Sequence, residues 1–371
     1  MIVARVVAFV AGLVVLQAVL RSALRTVVVP RGEPVLLTRY VFLSVRAVYT
    51  PLAARHRDPA RRHAVLARFA PTALMLLAFT WAAAVILAFV PMYWAVSDLH
   101  LYAALRLSGS SMTTLGLAAP PNRTTTLLAI VEALLGLGVV ALLIAYLPSI
   151  YGHFSRREED VLRFEVRAGS PPTPTRYLTR LHVIGSPERD GEVWAPWETW
   201  FEDLQESHTS QASLAHFRSQ SPSNSWVITA GAILDTAAIS EAAIDHPTQP
   251  QAALMLRAGF LALRDIAAFY GFHIDHDPAP NDPISVRREE FDEVLRELER
   301  VGIPLKDDRD RAWRDFAGWR VNYDQALLAL CALVEAPDAR WSSDRCFRYH
   351  RPIVRHPRTW KVDPLDAPPS W

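Results

Sequence analysis

The stretch Leu107-Ser-Gly-Ser-Ser-Met-Thr-Thr-Leu-Gly-Leu-Ala-Ala-Pro120 sets small polar residues and glycine between two apolar runs, Phe69–Val96 and Thr124–Ile150. It is too short and too polar to be a further span. Between two membrane helices it has to dip into the bilayer and return on the same side. Non-helical backbone survives at that depth only where protein buries it or where it lines a water-filled path. The chemistry open to such a loop is cation coordination. Main-chain carbonyls of Thr113, Thr114, Leu115, Gly116 and Leu117, with the Thr114 hydroxyl, can stand in for the water around a monovalent cation, K+ or Na+. The plainer alternative is a reentrant loop that seals a helix bundle and conducts nothing. Two charges flank the loop, Arg106 and Glu132, and Glu132 is the only acid between Arg123 and Arg156. They read either as a buried ion pair behind the loop or as separate solvated groups near the outer surface.

The elements that must position this loop follow from charge and length. Ile2–Leu20 holds one charge, Arg5, and is long enough to span a hydrocarbon core. Its basic residues follow the run rather than precede it, so residues 1–20 read as an uncleaved first transmembrane helix. Residues 21–68 carry ten arginines against Glu33 and Asp58, which places this loop in the cytoplasm and the N-terminus outside. Within it, Pro34–Thr50 is apolar with Arg39 and Arg46 on one helical face, as in a helix lying along the inner leaflet. A second span from Phe69 ends at Tyr93-Trp94, an aromatic pair expected at the membrane interface. Asp98–Met112 has helical spacing and would descend toward the loop, so that residues 97–120 form the reentrant segment. The third span, Thr124–Ile150, returns to the cytoplasm, and Pro148 is expected to end or bend it.

Taken together, Thr113-Thr114-Leu115-Gly116-Leu117 resembles the Thr-Thr-x-Gly-x stretch of the potassium-channel pore family, and the setting of span, short helix, loop and span is similar. The resemblance covers about residues 69–150. It implies an ion channel subunit: residues 69–151 as a two-helix pore module, passive cation conduction, Thr113 to Leu117 as the filter, and a homotetramer around one axis. It also implies a gating hinge on the inner helix at Gly136 or Gly138, while Arg106 and Glu132, if paired, would support the filter from behind. This chain departs from the pattern at the outer half of the filter. Ala118 stands where the second glycine belongs, Leu117 where the aromatic belongs, and Ala119 where an acid follows. Weak potassium selectivity is the expected consequence.

Beyond residue 151 the composition changes. Residues 152–175 read as a linker, with a break at Gly169-Ser-Pro-Pro-Thr-Pro-Thr175. Residues 176–371 read as a cytoplasmic α-helical domain whose ligand the sequence does not name. Its helices include one with the face Trp197, Phe201 and Leu204, the nearly all-apolar runs Trp226–Ile239 and Gln251–Tyr270, and one capped by Ser285 and stopped at Gly302. The tryptophans are expected in its core. The overall class is therefore all-α: membrane helices with a reentrant pore loop, followed by a cytoplasmic helical domain.

Other chemistry finds little footing. His273-Ile-Asp-His-Asp277 has metal-ligand residue types, but in a turn whose spacing converges poorly on one ion. His208, His216 and Glu206 are matched to no nucleophile. No Gly-x-Ser-x-Gly elbow, Walker loop or Gly-x-Gly-x-x-Gly occurs, so no enzyme and no cofactor is expected. The net charge of +1 offers no footprint for nucleic acid, and the expected partners are the lipid bilayer of an inner membrane and further copies of the chain. Two late cysteines, Cys331 and Cys346, form no disulfide framework. The alternative class is a non-conducting membrane receptor or scaffold whose helical domain binds a partner.

Overall fold

Uncharged length governs the first part of the computed structural model, which describes residues 1–27, 36–185 and 190–345. Helix α1 (Ile2–Val27) and helix α4 (Phe69–Val96) lie antiparallel. Arg5 pairs with Asp98 at 2.8 Å at one end, and Trp81 Nε1 donates to Ser22 Oγ at 3.2 Å toward the other. Gly12 lets the two backbones approach. A Cβ there would lie 2.4 Å from the Ala88 carbonyl oxygen, the close small-residue packing that membrane helices favour. We expect Gly12→Val to force α1 off α4 and to lower the melting temperature measurably in detergent, since overpacking costs about 1–3 kcal/mol. An unchanged melting curve would mean that the contact is loose.

Helices α2 (Leu36–Ala54) and α3 (Pro59–Ala67) connect the pair. The helix expected over Pro34–Thr50 is present from Leu36, while Pro34 lies outside the described residues. It packs Val41 and Val45 onto the first third of α4, with Phe42 edge-on to Phe69 at 5.9 Å. Asp58 caps α3 by accepting from the Ala60 N–H, and Pro59 fills the first turn, where its missing N–H costs nothing. Helix α5 (Leu101–Met112) follows α4. Helix α6 (Arg123–Ala168) then runs for 46 residues.

One expectation is corrected here: residues 152–168 are helix rather than linker, and α6 continues through Pro148 instead of ending there. Their spacing explains this, because Val161, Phe164 and Ala168 are buried along one face. The break is confined to Gly169–Thr173. The chain divides into two units, residues 1–153 with 210–217, and residues 154–209 with those from 218 on. Segment 210–217, expected in the helical domain, belongs to the first unit, where His216 packs edge-on to Phe69 at 5.5 Å and Ser213 meets the Tyr146 hydroxyl at 3.2 Å.

The second unit contains α7 (Pro174–Ile184), α8 (Asp190–Ser210), α9 (Trp226–Ala243), α10 (Pro250–Phe269), α11 (Arg288–Val301), α12 (Arg309–Arg320) and α13 (Asp324–Val334). Among the described residues no strand forms, only an isolated bridge between Ile244 and Leu305. Four stretches are long and apolar enough to cross a membrane: α1, the α3–α4 run, α6 and α9. Of these, α9 is 94 % buried, so its all-round apolarity serves a protein core. Trp194, Trp197, Trp200, Trp226 and Trp341 are buried as expected, while Trp313 and Trp319 are half-buried. Gly302 closes α11 with φ of 89°. Ser285 does not cap that helix. Arg287 occupies the cap, and Ser285 donates instead from its N–H and hydroxyl to Asp324, at 2.8 and 2.7 Å.

The most buried charge in this unit is Arg320. Its Nη1 reaches both oxygens of Asp235 at 2.6 and 2.9 Å, its Nε reaches Asp324 at 2.7 Å, and its Nη2 reaches the Trp341 carbonyl at 2.6 Å. Tyr323 OH donates to Asp235 at 2.8 Å. Burial works against the cation, but the two carboxylates more than offset it and push the guanidinium pKa further up.

Candidate site: the loop after α5 and the carboxyl behind it

Helix α5 buries Ala104, Leu107, Ser108 and Met112 and exposes Leu101, Tyr102, Leu105 and Arg106. It ends in a Schellman closure: Thr114 N–H donates to Ser111 O at 3.1 Å and Leu115 N–H to Ser110 O at 3.0 Å. That closure needs a left-handed residue, and it falls on Thr114, with φ of 56°. Glycine is the usual occupant. A β-branched residue there is an outlier that stores strain of about 1–2 kcal/mol. Gly116 is left-handed as well, with φ of 68°.

The hydroxyls tie the start of the loop together. Thr113 Oγ1 donates to Gly109 O at 2.6 Å, and Thr114 Oγ1 donates to Thr113 O at 2.7 Å. Ser110 Oγ accepts from the Ala118 N–H at 3.2 Å, which pins the far side of the loop to α5. Between these anchors, the carbonyls of Thr114, Leu115, Gly116 and Leu117 accept no hydrogen bond among the described residues. Leu115 and Leu117 are 64 % and 72 % exposed.

Glu132, on α6, is fully buried. Tyr93 OH of α4 donates to its Oε2 at 2.7 Å, and Ser108 Oγ of α5 contacts its Oε1. Ser108 Oγ also reaches the Ile86 carbonyl at 3.0 Å. A hydroxyl has one proton to give, so Ser108 lies between two acceptors, the Glu132 carboxyl and the Ile86 carbonyl. One carboxyl thus joins three helices. No ion pair links Glu132 to Arg106, which lies on the exposed face of α5, so the buried pair is not formed and Glu132 is not solvated either. Tyr93 is a fully buried hydrogen-bond donor.

Gly136 and Gly138 occupy a continuous stretch of α6. A Cβ on Gly136 would lie 2.3 Å from the Met112 carbonyl oxygen, so this glycine lets α6 touch the end of α5. Around Gly138 there is open space. The structure therefore sets Glu132 against Tyr93 and Ser108, sets Gly136 against Met112 just before the loop Thr113 to Leu117, and leaves Arg106 apart. It adds Tyr93, Ser108 and Ser110. A serine on the buried face of α5, at 104, 107, 108 spacing, was the available signal for Ser108.

The remaining candidates scatter. His208 is buried against Trp226, with ring centroids 4.5 Å apart, while His216 belongs to the other unit. Among the described residues no group of three or more His, Cys, Asp or Glu could hold a metal. In the 273–277 turn, Asp275 accepts from the Asp277 N–H at 2.9 Å. Cys331 is buried, and Cys346 lies outside the described residues. Comparison with family models, with curated proteins and with solved structures finds no match to this chain.

Proposed function

We propose that the chain is one subunit of a passive cation channel in a cell membrane. The reentrant filter would be the loop after α5, and α6 would be the inner helix. The observation that carries this reading is the run of four carbonyls, Thr114 to Leu117, without hydrogen-bond partners among the described residues, on a loop anchored at both ends. Carbonyls so held are the ligand type that replaces a cation's hydration shell. One such loop cannot surround an ion, and the exposed Leu115 and Leu117 side chains ask for cover, so we assign a homotetramer. The arginine asymmetry places the N-terminus outside, and residues 21–68 and the second unit in the cytoplasm. Glu132 supports the filter by fixing α5 to α4 and α6.

Poor potassium preference follows from the sequence of the loop. Only Thr114 and Gly116 are left-handed. Ala118 resists the backbone conformation a second glycine would permit. Leu117 has no hydroxyl to brace the loop. Purified protein in planar bilayers is expected to give single-channel cation currents with a bi-ionic K+/Na+ reversal potential near zero. Leu117→Tyr with Ala118→Gly is expected to move that potential toward the potassium value. Absence of current, together with a monomeric or dimeric mass in detergent, would overturn the channel and leave the membrane receptor or scaffold.

A further inference from the structure

Among the described residues, positions 21–68 carry nine arginines and one acid, Asp58. That carboxylate is already committed, since it accepts the Ala60 N–H at 3.1 Å and lies 3.7 Å from Arg61. Arg21, Arg25, Arg39, Arg55, Arg57 and Arg68 form no ion pair among the described residues. The second unit treats its arginines otherwise. Arg163 pairs with Asp160 at 2.7 Å, Arg288 with Asp310 at 2.9 Å, and Arg309 with Glu299 at 3.1 Å. A surface of one sign draws its counter-charge from outside the chain.

Helix α2 is strung between the same end of two apolar helices. Thr38 Oγ1, near its start, lies 2.9 Å from Thr26 Oγ1 at the end of α1, and Tyr49 OH lies 3.0 Å from Thr72 Oγ1 at the start of α4. The Ser22–Trp81 contact sets the register of the antiparallel pair and puts these two anchors about 8 Å apart along it. The helix from Thr38 to Tyr49 rises about 17 Å, so α2 lies more across the pair than along it. Its buried side carries Val41 and Val45, while Leu36, Tyr40, Val48 and Leu52 are exposed. Arg39 and Arg46 share the flank between those two sides. The turn after α2 adds Arg55 and Arg57, and Arg68 stands at the foot of α4, all three exposed.

Free phosphate or a nucleic-acid backbone would match the arginines and leave the exposed apolar side chains in water. An occupant with an anionic head and apolar tails matches both, at the level where two spans end. We propose that residues 36–68 bind anionic phospholipid, with headgroup phosphates on Arg39, Arg55, Arg57 and Arg68 and acyl chains along Leu36, Tyr40 and Val48. The assignment rests on the membrane placement of the proposed function and not on conduction.

The test is native mass spectrometry of the full chain in detergent, with equal amounts of phosphatidylglycerol and phosphatidylcholine of the same acyl chains. Phosphatidylglycerol is expected to be retained about tenfold more, a difference of about 1.4 kcal/mol. Arg39→Gln, Arg55→Gln, Arg57→Gln and Arg68→Gln combined are expected to bring the ratio below about twofold. Their melting temperature should hold, because none of the four is buried. Arg296→Gln, Arg300→Gln, Arg311→Gln and Arg314→Gln combined, all exposed in the second unit, are expected to leave the ratio unchanged. Excess inorganic phosphate is expected to leave the lipid bound, since it brings no acyl chain. Equal retention of the two lipids, retention of neither, an unchanged ratio in the first variant, an equal fall in the second, or displacement by inorganic phosphate would overturn the proposal. Absence of current in planar bilayers leaves the retention ratio as it stands, and equal retention leaves the channel as it stands.

Discussion

Glu132→Ala is expected to destabilise the first unit by about 1–3 kcal/mol, because it strands the buried Tyr93 hydroxyl, while Ser108 keeps the Ile86 carbonyl as acceptor. Glu132→Gln is expected to cost less than about 1 kcal/mol, since its amide oxygen still accepts from Tyr93 and its NH₂ can donate to Ser108. The contrast between the two variants is the informative quantity. Thermal unfolding of purified protein in detergent measures it. Equal losses for Ala and Gln would mean that the negative charge, rather than the hydrogen-bond pattern, holds the three helices. If the channel reading is right, the alanine variant also loses current, because α5 is freed from its anchor while the loop sequence is untouched.

Arg320→Met should be the most damaging single change in the second unit. It leaves Asp235 and Asp324 buried without their cation, and breaking a buried pair from one side costs about 3–5 kcal/mol. Arg320→Lys is not a rescue, because an ammonium cannot reach both carboxylates and the Trp341 carbonyl with one planar fork. Asp235→Asn with Asp324→Asn in the Arg320→Met background is expected to recover part of the loss, since no uncompensated charge then remains. Circular dichroism during denaturant unfolding ranks the four proteins. A single variant as stable as the parent would show that water reaches the cluster.

Much of the helix content could be read from apolar spacing. Trp226–Ile239 and Gln251–Tyr270 announced α9 and α10, and Gly302 marked the end of α11. What escaped depended on distant partners. Ser285 precedes a helix and reads as a cap, but Asp324 captures it from 39 residues away. Tyr93 ends an apolar run, and the acid that receives its proton lies on another helix, also 39 residues on. Pro148 and the arginines after it read as the end of a span. The buried stripe at Val161, Phe164 and Ala168 continues the helix regardless, since a proline forfeits one backbone bond without forbidding the next turn. The loop residues themselves could be named from sequence. Their anchoring by Ser110, and the left-handed Thr114, could not, because threonine carries no signal for a conformation that it disfavours.

The antiparallel pairing of α1 with α4 has a consequence for synthesis. Ser22 waits for Trp81, 59 residues later in the chain, and Arg5 waits for Asp98, 93 residues later. At about 5–20 residues per second, the partner of Ser22 leaves the ribosome roughly 3–12 s after Ser22 itself. Through that interval the face of α1 that carries Gly12, Leu16, Val19 and Ala23 has no protein against it. A nascent chain held at residue 68 should therefore present this face to whatever insertion factor or lipid is at hand, and release of the next span should displace that early companion.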